Sequence, residues 1–406
     1  MEKEGETRGP RRIFTRRVII VLVAWAVLTT LGSWRHQRRW IDETASDSWV
    51  GIDAALQVMV LPAWLGARTV GNGYGVSHSL AWTIGVNTLG FGALAAVYLV
   101  AHVGVRRFIS PSEPRVGDSV DLSRRRLLLG AAPDAIAAVS GCGLLYATVV
   151  EPNWLHVSRV DVPIDGLAPS HDGLRVLQIS DTHRGPRISA SFIAEAVRLG
   201  IAQKPDLILL TGDYVHMGIE FIEEGAALLA PLVSVAPTVG VLGNHDWYAG
   251  AHRVRHTLTK YGVRMIDNDR CFLTERRRLD ADAGTLCIAG VGDLLEDHVN
   301  FDRALSGVDR SMPRLLMSHN PDAAELPELR SHRVDLMLSG HTHGGQIRLP
   351  IVGAPGVPSR YGQKYAQGLV DGPACRVHVS AGVGMSVAPL RFGVRPEINL
   401  LTLRSI

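Results

Sequence analysis

Cysteine is scarce in this chain, with four in 406 residues, and none of them falls in any of the polar motifs that punctuate its second half. A metal site built there has no thiolate to draw on. Cys142 stands in an apolar segment, Cys271 and Cys287 flank a turn-rich stretch, and Cys375 stands apart. A Cys271–Cys287 bridge is conceivable in an oxidising compartment, and burial as free thiols is the simpler reading. Charge of one sign is also missing. Forty-two Lys and Arg against 39 Asp and Glu leave a net +3, too small and too spread out to imply a nucleic-acid partner. Internal repeats are absent as well, which excludes solenoid architectures.

What is present is a series of five short motifs in one order. They are Asp181-Thr182-His183, Gly212-Asp213, Gly243-Asn244-His245-Asp246, a lone His319, and Gly340-His341-Thr342-His343. Together they offer carboxylates, an amide oxygen and imidazoles, the hard and borderline donors that divalent first-row ions and zinc prefer. Taken singly each has a bland reading, because Asp-x-His commonly caps a turn and Gly-Asp is a frequent turn pair.

Their placement decides between the readings. Each motif follows a short apolar run that reads as a buried strand: 174–179, 207–210, 239–242, 315–317 and 336–338. Polar residues that follow buried strands gather on one rim of a sheet, where open α/β folds place their sites. A helix over 189–203 between the first two runs gives a βαβ pattern, and late runs at 376–380 and 398–403 add strands. Seven candidate ligands therefore converge: Asp181, His183, Asp213, Asn244, His319, His341 and His343.

The ordered set D-x-H, G-D, G-N-H-D, H, G-H-x-H resembles the calcineurin-like metallophosphoesterase superfamily from about residue 174 onward. The segments GHTHGGQIRLP, SRYGQKYAQG and SAGVGMSVAPLRFGVRPEINLLTL resemble a bacterial branch of membrane-associated phosphodiesterases. The resemblance implies an α/β fold, a four-layer αββα sandwich. It also implies two divalent metal ions (Mn, Zn or Fe), with Asp181, His183 and His343 on one and Asn244, His319 and His341 on the other. Asp213 would bridge them, and an attacking hydroxide would form between the ions. His245, free of metal, would be catalytic, with Asp246 orienting it. His216, three beyond Asp213, departs from the acidic or other polar residue often found there, and reads either as a substrate contact or as a solvated loop histidine. Asp293 and Gln346 read as pocket-lining or turn-capping residues, and Arg391 as a phosphate contact or a surface arginine.

The N-terminal 150 residues have a different character. Residues 18–34, 80–103 and 127–150 are apolar enough to span a bilayer, and 50–65 is a weaker fourth candidate. The expected organisation is a transmembrane region over 1–150, with three or four helices, followed by a catalytic domain over 151–406. The loop holding Arg124, Arg125 and Arg126 falls on the cytoplasmic side by the positive-inside rule with either count, so the catalytic domain is expected outside. The same arginines resemble a twin-arginine export signal, or simply flank a membrane helix. Residues 139–142 resemble a lipoprotein box, and close helix packing explains their small side chains as well.

The expected function is hydrolysis of a phosphodiester or pyrophosphate bond at the cell membrane, on a membrane-proximal or lipid-linked phosphoester. Two alternatives stay open from the sequence: a membrane metallo-domain that senses a ligand without turnover, and a phosphomonoesterase acting on soluble extracellular substrates.

Overall fold

The computed structural model describes residues 146–406, apart from Met217, Val387 and Ala388, together with Gly143. The expected membrane spans, the triple-arginine loop and the 139–142 box lie outside these residues, save the last few positions of the third span. Among the described residues no helix is long and apolar enough to cross a membrane. Residues Val150–Ile406 form one compact unit.

That unit is a mixed α/β sandwich of two sheets. The first has the order β1-β13-β2-β3-β4-β5, formed by His156–Ile164, Glu397–Ser405, Arg175–Ile179, Leu207–Leu210, Thr238–Gly240 and Arg264–Met265. Strands β2 to β5 run parallel, while β13 is antiparallel to β2 and parallel to β1. The second has the order β11-β12-β10-β9-β8-β6-β7, from Gly368–Asp371, Arg376–Val379, Leu336–Ser339, Arg314–Met317, Leu286–Gly290, Asp269–Leu273 and Leu279–Asp280. Its central strands β12, β10, β9 and β8 are parallel.

Continuous apolar runs form these strands because both faces of each sheet are covered. In β3, Leu207 and Leu209 enter the core between the sheets, while Ile208 and Leu210 face the helices. In β9, Leu315 and Met317 face inward and Leu316 outward. Helices α1 (Ala190–Ala202), α2 (Ile222–Val233) and α3 (Asn244–Lys260) cover the first sheet. The outer face of the second carries a thinner layer, the five-residue α4 (Phe301–Leu305) and 3-10 turns at Pro321–Glu325 and Pro327–Ser331.

Helix α1 starts where the sequence suggests, because the Ser189 hydroxyl accepts from the Phe192 N–H at 3.2 Å and caps the first turn. The cysteines also resolve. Cys271 on β6 and Cys287 on β8 lie on paired strands, but Cys271 points into the core between the sheets and Cys287 into the outer one. Side chains on opposite faces cannot bridge, and Cys271, Cys287 and Cys375 are buried free thiols.

Candidate metal centre

Five strand ends deliver the site. Asp181 and His183 follow β2, Asp213 follows β3, Asn244 follows β4 and opens α3, His319 follows β9, and His341 and His343 follow β10. All seven lie on the rim where the parallel strands of both sheets end. The backbone is left-handed at five of them: Asp181, His183, Asp213, His341 and His343 have φ between 46° and 69°. Non-glycine residues rarely adopt this region, and such strain concentrates at functional sites.

The side chains meet. His183 Nε2 and His343 Nε2 are 3.0 Å apart, and lie 3.8 and 3.3 Å from Asp181 Oδ1. Asp213 Oδ2 lies 3.5 Å from His183 Nε2 and 3.2 Å from His319 Nε2, between the two groups of histidines. His341 Nδ1 is 3.0 Å from Asn244 Oδ1, and its backbone N–H donates to the Asp181 carboxylate at 3.1 and 3.2 Å. Among the described residues, Asp181, His183 and His343 form one group able to hold an ion, and Asp181, Asp213 and His319 another.

Electrostatics and hydrogen bonding fit cations here. His319 Nε2 is fully buried and has no hydrogen-bond partner, despite its nearness to Asp213. An orphaned buried polar atom costs about 1–3 kcal/mol, a penalty that a bound ion removes. Without metal, burial opposes charge on His319, but the Asp213 carboxylate wins and lifts its pKa well above the usual range. Burial keeps His183 and His343 well below it, reinforced at His343 by the Arg391 charge and at both by neighbouring histidines. Burial raises the Asp181 carboxyl to about 6.

The glycines of the motifs are spacers. A Cβ at Gly212 would lie 2.6 Å from Gly243 N and 2.9 Å from His319 Nδ1. One at Gly243 would run into the Asp213 carboxylate, and one at Gly340 into Ser180 and Asp181.

His245 stands beside the ligands, its ring edge-on to His183 with centroids 4.7 Å apart. Here the expected role of Asp246 is corrected. His245 Nδ1 donates to the His216 carbonyl at 2.8 Å. Asp246 is wholly buried and takes backbone N–H groups of Asp213 (2.8 Å), Tyr214 (2.9 Å), Val215 (3.3 Å) and Gly243 (2.9 Å). Its place at the third position of α3 aims the carboxylate back at the chain rather than at the neighbouring imidazole. Asp246 thus ties the Asp213 loop to the start of α3.

The residues whose sequence reading was open also find places. His216 is not a solvated loop histidine. Its ring stacks on His245 at 4.9 Å and 20°, and burial lowers its pKa to about 3. With His183 and His245 it forms a third group able to hold an ion, this one of imidazoles alone. Asp293 caps a turn, accepting from Leu295 and Glu296 through Oδ1, while its buried Oδ2 has no partner. Gln346 accepts from Ser386 N and donates to Leu390 O. Arg391 is neither exposed nor aimed at the site. Completely buried, it donates to the carbonyls of Ala381 (2.7 Å), Gly382 (3.0 Å) and Gly384 (2.5 Å). Those residues in turn brace Asp181, whose carbonyl accepts from Gly384 N at 2.6 Å. Sequence reasoning missed this brace, which belongs to the loop after β12.

A mixed α/β sandwich with seven carboxylate, amide and imidazole side chains on one rim defines a metal-dependent phosphoesterase. The chain belongs to the calcineurin-like phosphoesterase family, whose model matches residues 174–345, and it is a metal-dependent phosphoric ester hydrolase. It is 36% identical over 290 residues to "Phosphodiesterase YaeI" of Escherichia coli (strain K12), covering 70% of this chain and 99% of that protein. It is 31% identical over 289 residues to "Uncharacterized metallophosphoesterase YkuE" of Bacillus subtilis (strain 168), covering 70% and 98%. It is 29% identical over 301 residues to a "Transmembrane protein with metallophosphoesterase domain" of Bos taurus, covering 72% and 66%.

Proposed function

We propose that the centre is dinuclear and hydrolyses a phosphodiester or pyrophosphate bond of a lipid-linked or membrane-proximal substrate. Asp181, His183 and His343 would hold one divalent ion, Asn244, His319 and His341 the other, and Asp213 both. The single observation that carries this reading is the position of Asp213, within 3.5 Å of histidines belonging to both groups. When bound, such a pair supplies Lewis-acid polarisation of the phosphoryl oxygens and an acidified water.

The chain's own residues do the rest. His245 is anchored twice, its backbone N–H on Asp213 Oδ1 at 2.9 Å and its Nδ1–H on the His216 carbonyl. With Nδ1–H held by that carbonyl, Nε2 is the ring atom that takes up and releases a proton, and in its imidazolium form it would give that proton to the departing alkoxide. Stacked His216 prevents the imidazole from swinging away. Asp246 keeps Asp213 and the start of α3 in fixed register, so that ligand and proton donor move as one unit.

Membrane context rests on the three apolar segments in residues 1–150 and on the similarity to a relative named as a transmembrane protein. In this reading residues 1–150 anchor the chain and residues 151–406 act outside the cytoplasm. The full chain, purified with Mn, should cleave bis-p-nitrophenyl phosphate and lose that activity with chelator or on Asp213→Ala. Turnover that survives both treatments would sink the dinuclear reading.

A further inference from the structure

One surface loop departs from the economy of the rest. Leu349 and Gly353 close it by exchanging backbone hydrogen bonds at 2.8 and 3.0 Å, and Val352 N donates to Pro350 O at 2.8 Å. Ile351 at its tip is fully exposed, Val352 is 67% exposed and Leu349 39%. Ile351 also has φ 71°, a left-handed conformation that a β-branched residue adopts only under strain. Nothing among the described residues repays this, since the side chain is fully exposed. A strained, hydrogen-bonded loop that holds isoleucine and valine outward is built for an apolar partner.

The neighbours of the loop indicate which partner. Arg348, exposed, is bonded through its backbone to Phe392, and the next residue, Gly393, donates to the Glu151 carboxylate at 2.9 Å. Glu151 directly follows the last apolar segment of the sequence, at residues 127–150. Beside it Trp154, 52% exposed, lies under the Arg395 guanidinium at 4.1 Å. An open hollow of about 420 Å³, lined by Arg348, Leu349, Pro350, Ile351, Gly353 and Gly393, adjoins the tip. Aliphatic tip, amphipathic tryptophan and flanking arginines are the side chains that settle at a bilayer boundary, and Glu151, which follows the apolar segment in sequence, is bonded to the residue beside this loop's backbone partner.

We propose that the 347–353 loop is a docking tip for an anionic lipid bilayer. Ile351 and Val352 enter the acyl boundary while Arg348 and Arg395 meet the headgroups, with Trp154 at the same level. The loop begins four residues after His343, so docking it would hold the metal centre close to the lipid surface. The inference rests on the membrane reading above and gives it a named contact.

The test uses the full chain in phosphatidylcholine–phosphatidylglycerol nanodiscs, with a nitroxide at Ile351→Cys or at Glu275→Cys. Glu275 lies in the turn after β6. The next turn residue but one, Arg277, donates to Ser170, beyond the end of β1 remote from Trp154. In the discs the ratio of oxygen to nickel-chelate accessibility should be several-fold higher at 351 than at 275, where it stays water-like. Ile351→Asp with Val352→Asp should lower turnover of a vesicle-embedded diester and leave bis-p-nitrophenyl phosphate turnover unchanged. A water-like label at 351 in a chain that resists carbonate extraction overturns the docking tip alone. A chain released by carbonate overturns the tip and the membrane reading together. Equal shielding from both quenchers in micelles and in discs identifies a protein contact, and also overturns the proposal.

Discussion

His319 donates its Nδ1–H to the Thr211 carbonyl at 2.8 Å. A carbonyl only accepts, so the bond fixes the tautomer and leaves Nε2 facing Asp213 Oδ2 at 3.2 Å. Motifs more than a hundred residues apart thus set the direction of one lone pair. His319→Gln keeps a polar side chain but loses that direction. Loss of an outer partner of a metal ligand alone costs about 10–100-fold in affinity or activity, so loss of the ligand should exceed about 100-fold in activity. Metal analysis of the variant checks the cause, with an expected fall of one equivalent per chain. A variant that retains full metal and full rate would remove His319 from the ligand set.

His245 should separate from the ligands in its behaviour. His245→Gln is expected to keep both metal equivalents and to lose roughly 10²–10⁴-fold in kcat, the range for a general acid or base. The loss should be smaller for diesters with better leaving groups, because an acidic alcohol departs without a proton. Equal losses across a leaving-group series would assign His245 a positioning role instead.

Gly382 tests how tightly the site is braced. Its φ is 71°, and an added Cβ would lie 2.6 Å from the Cβ of Asp181. Gly307 has φ 78° but nothing within 4 Å of the same position. Both alanine variants carry the backbone strain, and only the first pushes on Asp181. Gly382→Ala should cost a further 1–3 kcal/mol or so of stability, the usual penalty for overpacking, and should reduce bound metal. Urea unfolding and metal content of the two variants side by side decide the matter, and matching results would show that Asp181 has room to shift.

Much of this candidate centre is legible in the sequence because its candidate ligands come from strand-end loops, and a buried strand announces itself as an apolar run. What the sequence hides is non-local. Strand β13 inserts between β1 and β2 although more than 200 residues separate it from either, and no local pattern encodes that pairing. Arg391 looks like a surface residue because its acceptors are carbonyls, which any sequence supplies. The left-handed backbone at Asp181 and His183 is likewise invisible, since neither is the glycine that usually marks it. Asp246 misleads by adjacency. It follows His245 in the chain, yet the start of a helix turns its carboxylate toward backbone donors.

Acid sensitivity should have a source separate from the metal ligands. His378 on β12 is buried and donates its Nδ1–H to Gln178 Oε1 at 2.8 Å, while Gln178 donates to Ser339 O at 2.9 Å and Thr211 Oγ1 at 3.2 Å. Burial lowers its pKa to about 4 from an ordinary 6.5. The unfolded chain therefore takes up a proton below pH 6.5 that the folded chain refuses. Stability from this group is complete above pH 6.5 and is lost as pH falls toward 4. By pH 5 the loss should reach about 2 kcal/mol, from about 1.4 kcal/mol per unit. Urea unfolding of metal-free wild type and His378→Gln at pH 7.5 and 5.0 isolates it, because the other titrating groups cancel in the comparison. Wild type should lose about 2 kcal/mol more than the variant over that interval. The same pH dependence in both proteins would mean that His378 takes up its proton in the fold, and that the Gln178 bond does not hold it neutral.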